Sequence, residues 1–228
     1  MDYTNQNSEY LKLNPNYHLE DSRWKSFQIL KCINRNNIYL DRVADVGCGA
    51  GEILSILYDN LPESIIFEGY EISKDAYELS KVKEKDRLKF YNSDMLLNNV
   101  NYDLLLMIDV FEHVKDYLSF LENLNQKSKY KLFHIPLDIS VLAIFKNDFI
   151  KDRKKLGHLH YFNKNTAIAT VEDSGMKVID YFYTPVFEVR NVTIRQKVVN
   201  LLRRLSFIIN KDFSANLFGG YSLIILAR

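Results

Sequence analysis

The sequence is short of cysteine, glycine and proline, almost free of net charge, and without any long apolar run. Each shortage excludes something. The two cysteines, Cys32 and Cys48, sit in unrelated contexts, so neither a disulfide framework nor a cysteine-based zinc site is expected. That usage fits a reducing compartment, and a cytoplasmic protein is the expectation. No stretch of about 18 apolar residues is present, so no membrane-spanning segment is expected. The first residues, Met1 to Ser22, are polar and acidic and lack the basic start and apolar stretch of a signal peptide. Lys and Arg number 30 against 29 Asp and Glu, and the resulting net charge of +1 argues against a dedicated nucleic-acid binder. Neither internal repeats nor low-complexity tracts occur.

Hydrophobic residues make up 47% and charged residues 26% of the 228-residue chain, enough for a buried core and for one domain with an appendage. Residues 22–33 read as an amphipathic helix whose apolar positions are Trp24, Phe27, Ile29, Leu30 and Ile33. A short strand at 42–46 runs into a glycine turn at 47–51, and a helix at 52–60 turns Ile53, Leu54, Ile56 and Leu57 inward. A second strand (65–70), a helix from Ser73 to 83 and a third strand (88–92) follow. Residues 102–108 hold four apolar residues in a row, Leu104 to Met107, the pattern of a strand buried on both faces. A helix at 115–123, a strand at 129–135 closed by Pro136, and a helix capped by Asn163 and ended before Gly175 come next. Strands at 177–183 and 221–227 close the chain. Alternating strands and helices from residue 42 predict an α/β, doubly wound sheet with right-handed crossovers. The last two strands have no crossover helix of that kind, so they are expected to pair antiparallel around an insertion.

In such a sheet ligands bind beyond the carboxyl ends of the strands. The first strand ends on Gly47-Cys48-Gly49-Ala50-Gly51. A dinucleotide fingerprint needs G-x-G-x-x-G, but Glu52 stands where its third glycine belongs. A carboxylate there would repel a pyrophosphate at the helix N-terminus, and Asp45 adds a second one just before the turn. An acidic frame suits a ligand carrying cations and no phosphate, such as S-adenosyl-L-methionine. The second strand leads to Glu71, 20 residues after Gly51, where a carboxylate can accept from both ribose hydroxyls. Ile72 could pack on the adenine. After the third strand, Asp94 could accept from the adenine amino group, with the Met95 backbone at the ring edge.

These segments resemble the class I S-adenosylmethionine-dependent methyltransferases of the small-molecule branch. Val43-Ala-Asp-Val-Gly-Cys-Gly-Ala-Gly51 is similar to the first motif, Tyr70-Glu71 to the second and Asn92-Ser-Asp94 to the third. Asp109-Val-Phe-Glu-His-Val114 resembles the segment after the fourth strand, and Leu156-Gly-His-Leu-His-Tyr-Phe162 the approach to the sixth. The resemblance covers residues 40–183 and the last strand. It implies a seven-stranded, mostly parallel sheet of order 3-2-1-4-5-7-6 with strand 7 antiparallel and helices on both faces. It also implies a Rossmann-like domain at 39–228, with insertions at 138–157 and 184–219, behind an N-terminal helical cap at 1–38. The expected cofactor site comprises Asp45, Gly47, Cys48, Gly49, Gly51, Glu71, Ile72, Asp94, Met95, Asp109 and Val110.

Methyl transfer from a sulfonium needs alignment, and a hydroxyl acceptor also gains from a base. The candidates for chemistry are His113, at the mouth of the presumed site, and the alternating pair His158 and His160. A metal reading would join them to His113 or Asp109, but nothing local in the sequence brings them together, and no metal is expected. Cys48 is read as a small side chain that fits its turn. His134 is given no role. Tyr10, Tyr17, His18 and Trp24 suggest that the N-terminal segment folds over cofactor and acceptor. Residues 138–157, with Lys151, Arg153, Lys154 and Lys155, read as a solvated basic loop or as a cationic, partly apolar lid over an acceptor with an anionic group. In 192–209, Ile194, Val198, Leu201, Leu202, Leu205, Ile208 and Ile209 form an apolar stripe, with Arg195, Lys197, Arg203 and Arg204 off it. That helix is expected to pack on the domain or a partner, or to touch a membrane surface, or to gate the acceptor pocket. The expected activity is methylation, O-methylation first, of a small-molecule, sugar or lipid-linked acceptor. A nicotinamide-dependent oxidoreductase and a non-catalytic nucleoside-binding module are the rivals. The acceptor, the atom methylated and the oligomeric state are not readable.

Overall fold

The structure is a computed structural model that describes residues 19–188 and 194–228. Tyr10, Tyr17 and His18, named above, lie outside the described residues, as does the start of the 192–209 segment. Helix α1 (Leu19–Arg35) leads to β1 (Arg42–Val46), α2 (Glu52–Asn60), β2 (Ile66–Tyr70), α3 (Lys74–Lys81) and β3 (Leu88–Tyr91). Then come β4 (Tyr102–Ile108), α4 (Tyr117–Asn125) and β5 (Ser128–Pro136). Two short helices, α5 (Val141–Lys146) and α6 (Asp148–Lys155), precede α7 (Lys164–Asp173) and β6 (Val178–Thr184). Helices α8 (Ile194–Ile209) and α9 (Lys211–Phe218) separate β6 from β7 (Ser222–Ala227).

The strands form one seven-stranded sheet of order β3-β2-β1-β4-β5-β7-β6. The pairs β1/β2, β1/β4, β2/β3 and β4/β5 are parallel. Strand β7 slots antiparallel between β5 and β6, with Phe133 opposite Ile225 and Phe182 opposite Ile224. The order implied by the resemblance and the reversed last strand are therefore both present.

Period-two alternation splits the apolar strand residues between two core layers. Leu105 and Met107 of β4, Phe133 and Ile135 of β5, and Leu223 and Ile225 of β7 face α4 and α7, which supply Leu121, Leu124, Ala167 and Val171. Leu104 and Leu106, with Val43, Leu132 and Ile224, face α1 and α2, which supply Ile29, Ile33, Leu54 and Leu57. Each fully buried Leu or Phe contributes about 2 kcal/mol of transfer free energy. Helix α1 thus shares the layer in which β1 and α2 are buried.

Side-chain caps set the helix starts. Ser73 accepts from the Ala76 amide, Asp116 from Ser119, and Asn163 forms a capping box with Thr166. Asp116 explains why α4 begins at Tyr117 rather than at 115. Three expectations need correction. Phe27 is 48% exposed, turned away from the core and covered by the Arg23 guanidinium at 5.8 Å. Ile53 and Ile56 are only half-buried beside the fully buried Leu54 and Leu57. The 138–157 segment is helical, not a loop, and Val141, Ile144, Phe145 and Ile150 are exposed on it.

Candidate active site

The carboxyl ends of β1, β2, β4 and β5 open into one cavity of about 450 Å³. Gly47 to Ala50 and Asp45 line it from β1, and Glu71 to Ser73 from β2. Ile108 to Val110, His113 and Val114 line it from β4, and His134 and Pro136 from β5. Helix α1 contributes Asp21, Ser22 and Lys25, α2 contributes Glu52 and Ile53, and Leu156, His158, Val186 and Ser222 complete the wall.

The turn after β1 is held open by backbone geometry. Gly47 and Gly51 adopt positive φ angles of 71° and 76°. A side chain at Gly51 would strike the Phe90 ring, 2.6 Å from the Cβ position, whereas nothing lies within 4 Å of the Cβ position of Gly49. Gly51 is thus a packing position at the foot of α2 and does not line the cavity. At Gly47 the Cβ position is 3.1 Å from Val110, so the turns after β1 and β4 touch.

Asp45 is 2% exposed, and its Oδ1 has no hydrogen-bond partner. Burial, with the Glu71 carboxylate nearby, pushes its pKa well above the usual carboxylate value, against the pull of Lys25. Burial also raises Glu71, although its oxygens accept from the Gly49 amide at 2.9 Å and the Ser73 amide at 2.7 Å. Those bonds tie the end of β2 to the glycine turn. Burial, then Asp45 and Glu71, push the Cys48 thiol well up, which leaves no thiolate there. Glu52 is less of an anion barrier than its position suggests. It pairs with Lys83 at 3.3 Å, and the same ammonium donates to the Ala50 carbonyl at 2.6 Å.

Asp94 and Met95 lie off the cavity. Asp94 Oδ1 accepts from the Leu96 amide as the cap of a short turn, and Met95 is 1% exposed within the core. Asp109 does line it, in a left-handed backbone conformation with φ 56°. Its carboxylate is committed: Oδ1 is 2.6 Å from His134 Nδ1, and Oδ2 is 2.7 Å from Lys25 Nζ. Burial alone would raise it, but His134 and Lys25 together hold it well below the usual carboxylate value. His134 Nε2 in turn meets Thr184 Oγ1 at 3.1 Å, and Trp24 packs edge-on to its ring.

Of the three candidate histidines, two meet. The rings of His113 and His158 pack edge-to-face with centroids 5.1 Å apart, and both line the cavity. His158 Nδ1 donates to Asp138 Oδ2 at 2.7 Å, which leaves Nε2 as the acceptor nitrogen. Burial disfavours the charged ring, but Asp138 outweighs it and raises the His158 pKa. His160 does not line the cavity. Its Nε2 donates to the Val114 carbonyl at 2.9 Å, and its ring lies against Tyr117. That bond, with the amides of Leu159 and His160 on the Glu112 carbonyl at 2.8 and 3.2 Å, pins the 158–160 segment to the turn after β4. The long-range contact absent from the sequence pattern is thus made by two backbone amides and one imidazole.

Glu112 sits at that junction, fully buried, and neither carboxylate oxygen has a hydrogen-bond partner. Burial and then Asp109 push its pKa well up. The sequence reading missed Lys25, Asp138 and Glu112 as site residues. Lys25 reads as a polar-face residue of an amphipathic helix, and Glu112 as an acid opening the next one. Of the 138–157 segment only Leu156 reaches the cavity. Its cationic residues stand elsewhere; Lys151, for one, pairs with Asp148 at 2.7 Å.

A family model described as a methyltransferase domain matches residues 12–181. Among curated proteins no sequence relative matches. Several solved structures share the fold at low identity. Magnesium protoporphyrin IX methyltransferase from Synechocystis PCC 6803, with bound SAH, aligns at TM-score 0.60 and 14% identity over 99% of this chain and 89% of its own. A methyltransferase from Haloferax volcanii, in complex with the Trm112 activator, aligns at 0.67 and 13% identity over 98% of both chains. The cyclopropane synthase MmaA2 from Mycobacterium tuberculosis aligns at 0.61 and 13% identity over 88% of this chain and 84% of its own.

Proposed function

The chain belongs to the class I S-adenosylmethionine-dependent methyltransferases, and from that premise we propose that it methylates a hydroxyl group of a small, partly apolar molecule. The cofactor end of the cavity is suited to its ligand. Asp45 brings a buried carboxyl oxygen without a partner, Gly49 leaves open space, and Glu71 ends the adjacent strand. We assign Asp45, Gly47, Cys48, Gly49, Glu71, Ile72 and Val110 to hold the cofactor. Asp109 serves through its pairs with Lys25 and His134, which fix the wall beside it. When bound, S-adenosylmethionine supplies an electrophilic methyl group on a cationic sulfur.

The observation that carries the acceptor reading is the pairing of His113 and His158 in the same cavity, with Asp138 fixing the His158 tautomer. An amine acceptor needs only to be unprotonated, whereas a hydroxyl must lose its proton as the new bond forms. A built histidine end is of use chiefly to a hydroxyl. Val114, Leu156 and Val186 give that end apolar walls, which suits a hydroxyl on an apolar body and helps exclude water. His160 acts here as a positioning residue for the segment that carries His158.

Calorimetric titration with S-adenosylhomocysteine and with NAD tests the cofactor assignment. Binding of the first alone is expected, and binding of NAD alone would overturn it. A screen with methyl-labelled cofactor against sugar, lipid and phenolic pools tests the acceptor. Product labelled on oxygen is the expected result. Product labelled only on nitrogen or carbon refutes the hydroxyl assignment, and cofactor binding without product in any pool would favour a non-catalytic nucleoside-binding module.

A further inference from the structure

We propose that Glu112, His113 and His158 bind one divalent first-row transition ion, with its open coordination positions facing the acceptor end of the cavity. The three side chains each offer one ligand atom, and these atoms all lie within 4.8 Å of one another. His113 Nε2 and Glu112 Oε1 are 4.0 Å apart. Tetrahedral ligation at about 2.1 Å sets ligand atoms roughly 3.4 Å apart, so the atoms need to draw in by about 1 Å. Side-chain rotation supplies that without moving the backbone, which is already fastened where the 158–160 segment meets the Glu112 carbonyl.

Two independent features point to a cation. The first is Glu112 itself: its carboxyl is 0% exposed and neither oxygen has a hydrogen-bond partner, so both are left for a cation, with a proton as the alternative occupant. The second is Asp138, whose Oδ2 takes the Nδ1 proton of His158 at 2.7 Å. This carboxylate–histidine pair is the arrangement that aims the remaining imidazole nitrogen at a metal and raises its basicity. Two imidazoles and one carboxylate suit zinc, cobalt, manganese or iron, and not magnesium or calcium, which prefer oxygen ligands throughout. His113 and His158 line the cavity while Glu112 backs them, so the protein closes one side of the ion and leaves the other to solvent or substrate.

The consequence for catalysis rests on the methyl-transfer reading above; the binding of the ion does not. A hydroxyl oxygen of the acceptor that takes an open position loses its proton to solvent water at lower pH. That oxygen then donates a lone pair to form the bond to the methyl carbon, while the carbon–sulfur bond breaks and its electron pair stays on sulfur. The ion does the work of a base, and the histidines serve as its ligands.

The test uses untagged, chelator-stripped full-length protein titrated with cobalt(II). Visible ligand-field absorption is the readout, and zinc content by mass spectrometry gives the stoichiometry. One ion per chain is expected. Glu112→Gln and His158→Asn are each expected to weaken cobalt binding at least about a hundredfold, and Asp138→Asn about 10- to 100-fold. Unchanged affinity for S-adenosylhomocysteine reports that each variant is folded. Glu112→Gln is the safer variant, because it keeps the shape and cannot ionise. Absence of a cobalt spectrum in the wild type, or a spectrum that survives both substitutions in folded protein, overturns the site. Failure of the wild type to bind S-adenosylhomocysteine would instead overturn the cofactor reading, and the cobalt result would stand.

Discussion

Burial withholds water from the Asp45 carboxyl, and the neighbouring Glu71 adds like charge, so the free protein shifts this group toward its protonated form. A cationic ligand reverses that preference. Asp45→Asn is therefore expected to weaken S-adenosylhomocysteine binding by on the order of 2 kcal/mol, roughly thirtyfold, by calorimetry. The same change removes a carboxyl whose charged form burial disfavours, so the ligand-free variant should gain about 1 kcal/mol by urea unfolding at neutral pH. A loss in both measurements would refute this account of Asp45. Gly51 belongs to packing instead. Alanine there meets Phe90 and a left-handed backbone, so Gly51→Ala should cost about 2 kcal/mol or more in the same unfolding assay. At this scale the sequence showed the glycine turn, Asp45 and Glu71, because strand ends and acidic residues are local signals. It could not show that Lys83 neutralises Glu52, or that Asp138 orients His158 from 20 residues away.

Helix α8 shows that a periodic stripe locates a helix without telling which face its own domain covers. Its residues turned from solvent are mostly polar or aromatic, Asn200, Arg203, Ser206 and Phe207, beside the half-buried Val199. Arg203 donates to the Phe218 carbonyl at 2.9 Å, Ser206 bonds Ser214 at 2.8 Å, and Phe207 stacks on Tyr221. The apolar stripe of Val198, Leu201, Leu202, Leu205, Ile208 and Ile209 faces outward, with the last two 83% and 86% exposed. Hydrophobic spacing located the helix but not its partner, because α9, which supplies Ser214, was not recognised. An outward apolar face flanked by Lys197 and Arg204, on a helix not long and apolar enough to span a bilayer, would suit an interfacial segment, the one of its three expected uses that vesicles test directly. Anionic phospholipid vesicles are expected to co-sediment the protein, and neutral vesicles much less. Leu201→Lys with Leu205→Lys should abolish sedimentation while S-adenosylhomocysteine binding persists. Indifference of sedimentation to the double substitution would rule out α8 as the contact. Helix α1, in contrast, was legible as a helix because Ile29 and Ile33 repeat on its buried face. Its Lys25, which reaches Asp109 at 2.7 Å, was not.

The whole chain carries these local preferences into its pH dependence. Asp45 and Glu71 have pKa values raised above the ordinary 3.8 and 4.5, so the folded state binds more protons than the unfolded chain. Stability then falls as pH rises above those ordinary values. Glu112, raised by burial, and His158, raised by Asp138, act in the same direction. Asp109 opposes them only in acid, since its lowered pKa gives a contribution already complete above its ordinary value of 3.8. Between about pH 5 and 8 the shifted acids and His158 therefore share one sign, and the melting temperature of metal-stripped, ligand-free protein should decline across that range. A cation-bearing nucleoside draws protons off Asp45 and Glu71, so its binding releases protons and tightens with pH. S-adenosylhomocysteine at a hundred times its dissociation constant contributes about 2.7 kcal/mol, which for a chain of this length raises melting by roughly 5–10 °C. At a fixed ligand concentration that increment should be larger at pH 8 than at pH 5, and Asp45→Asn should flatten the difference. The alternation of strands and helices was legible from apolar runs, whereas the order in which the strands lie in the sheet was legible only through the family resemblance. The acidity of the cavity depends on which carboxylates the fold strips of water, and that is set only once the four strand ends, α1 and the 158–160 segment close around them.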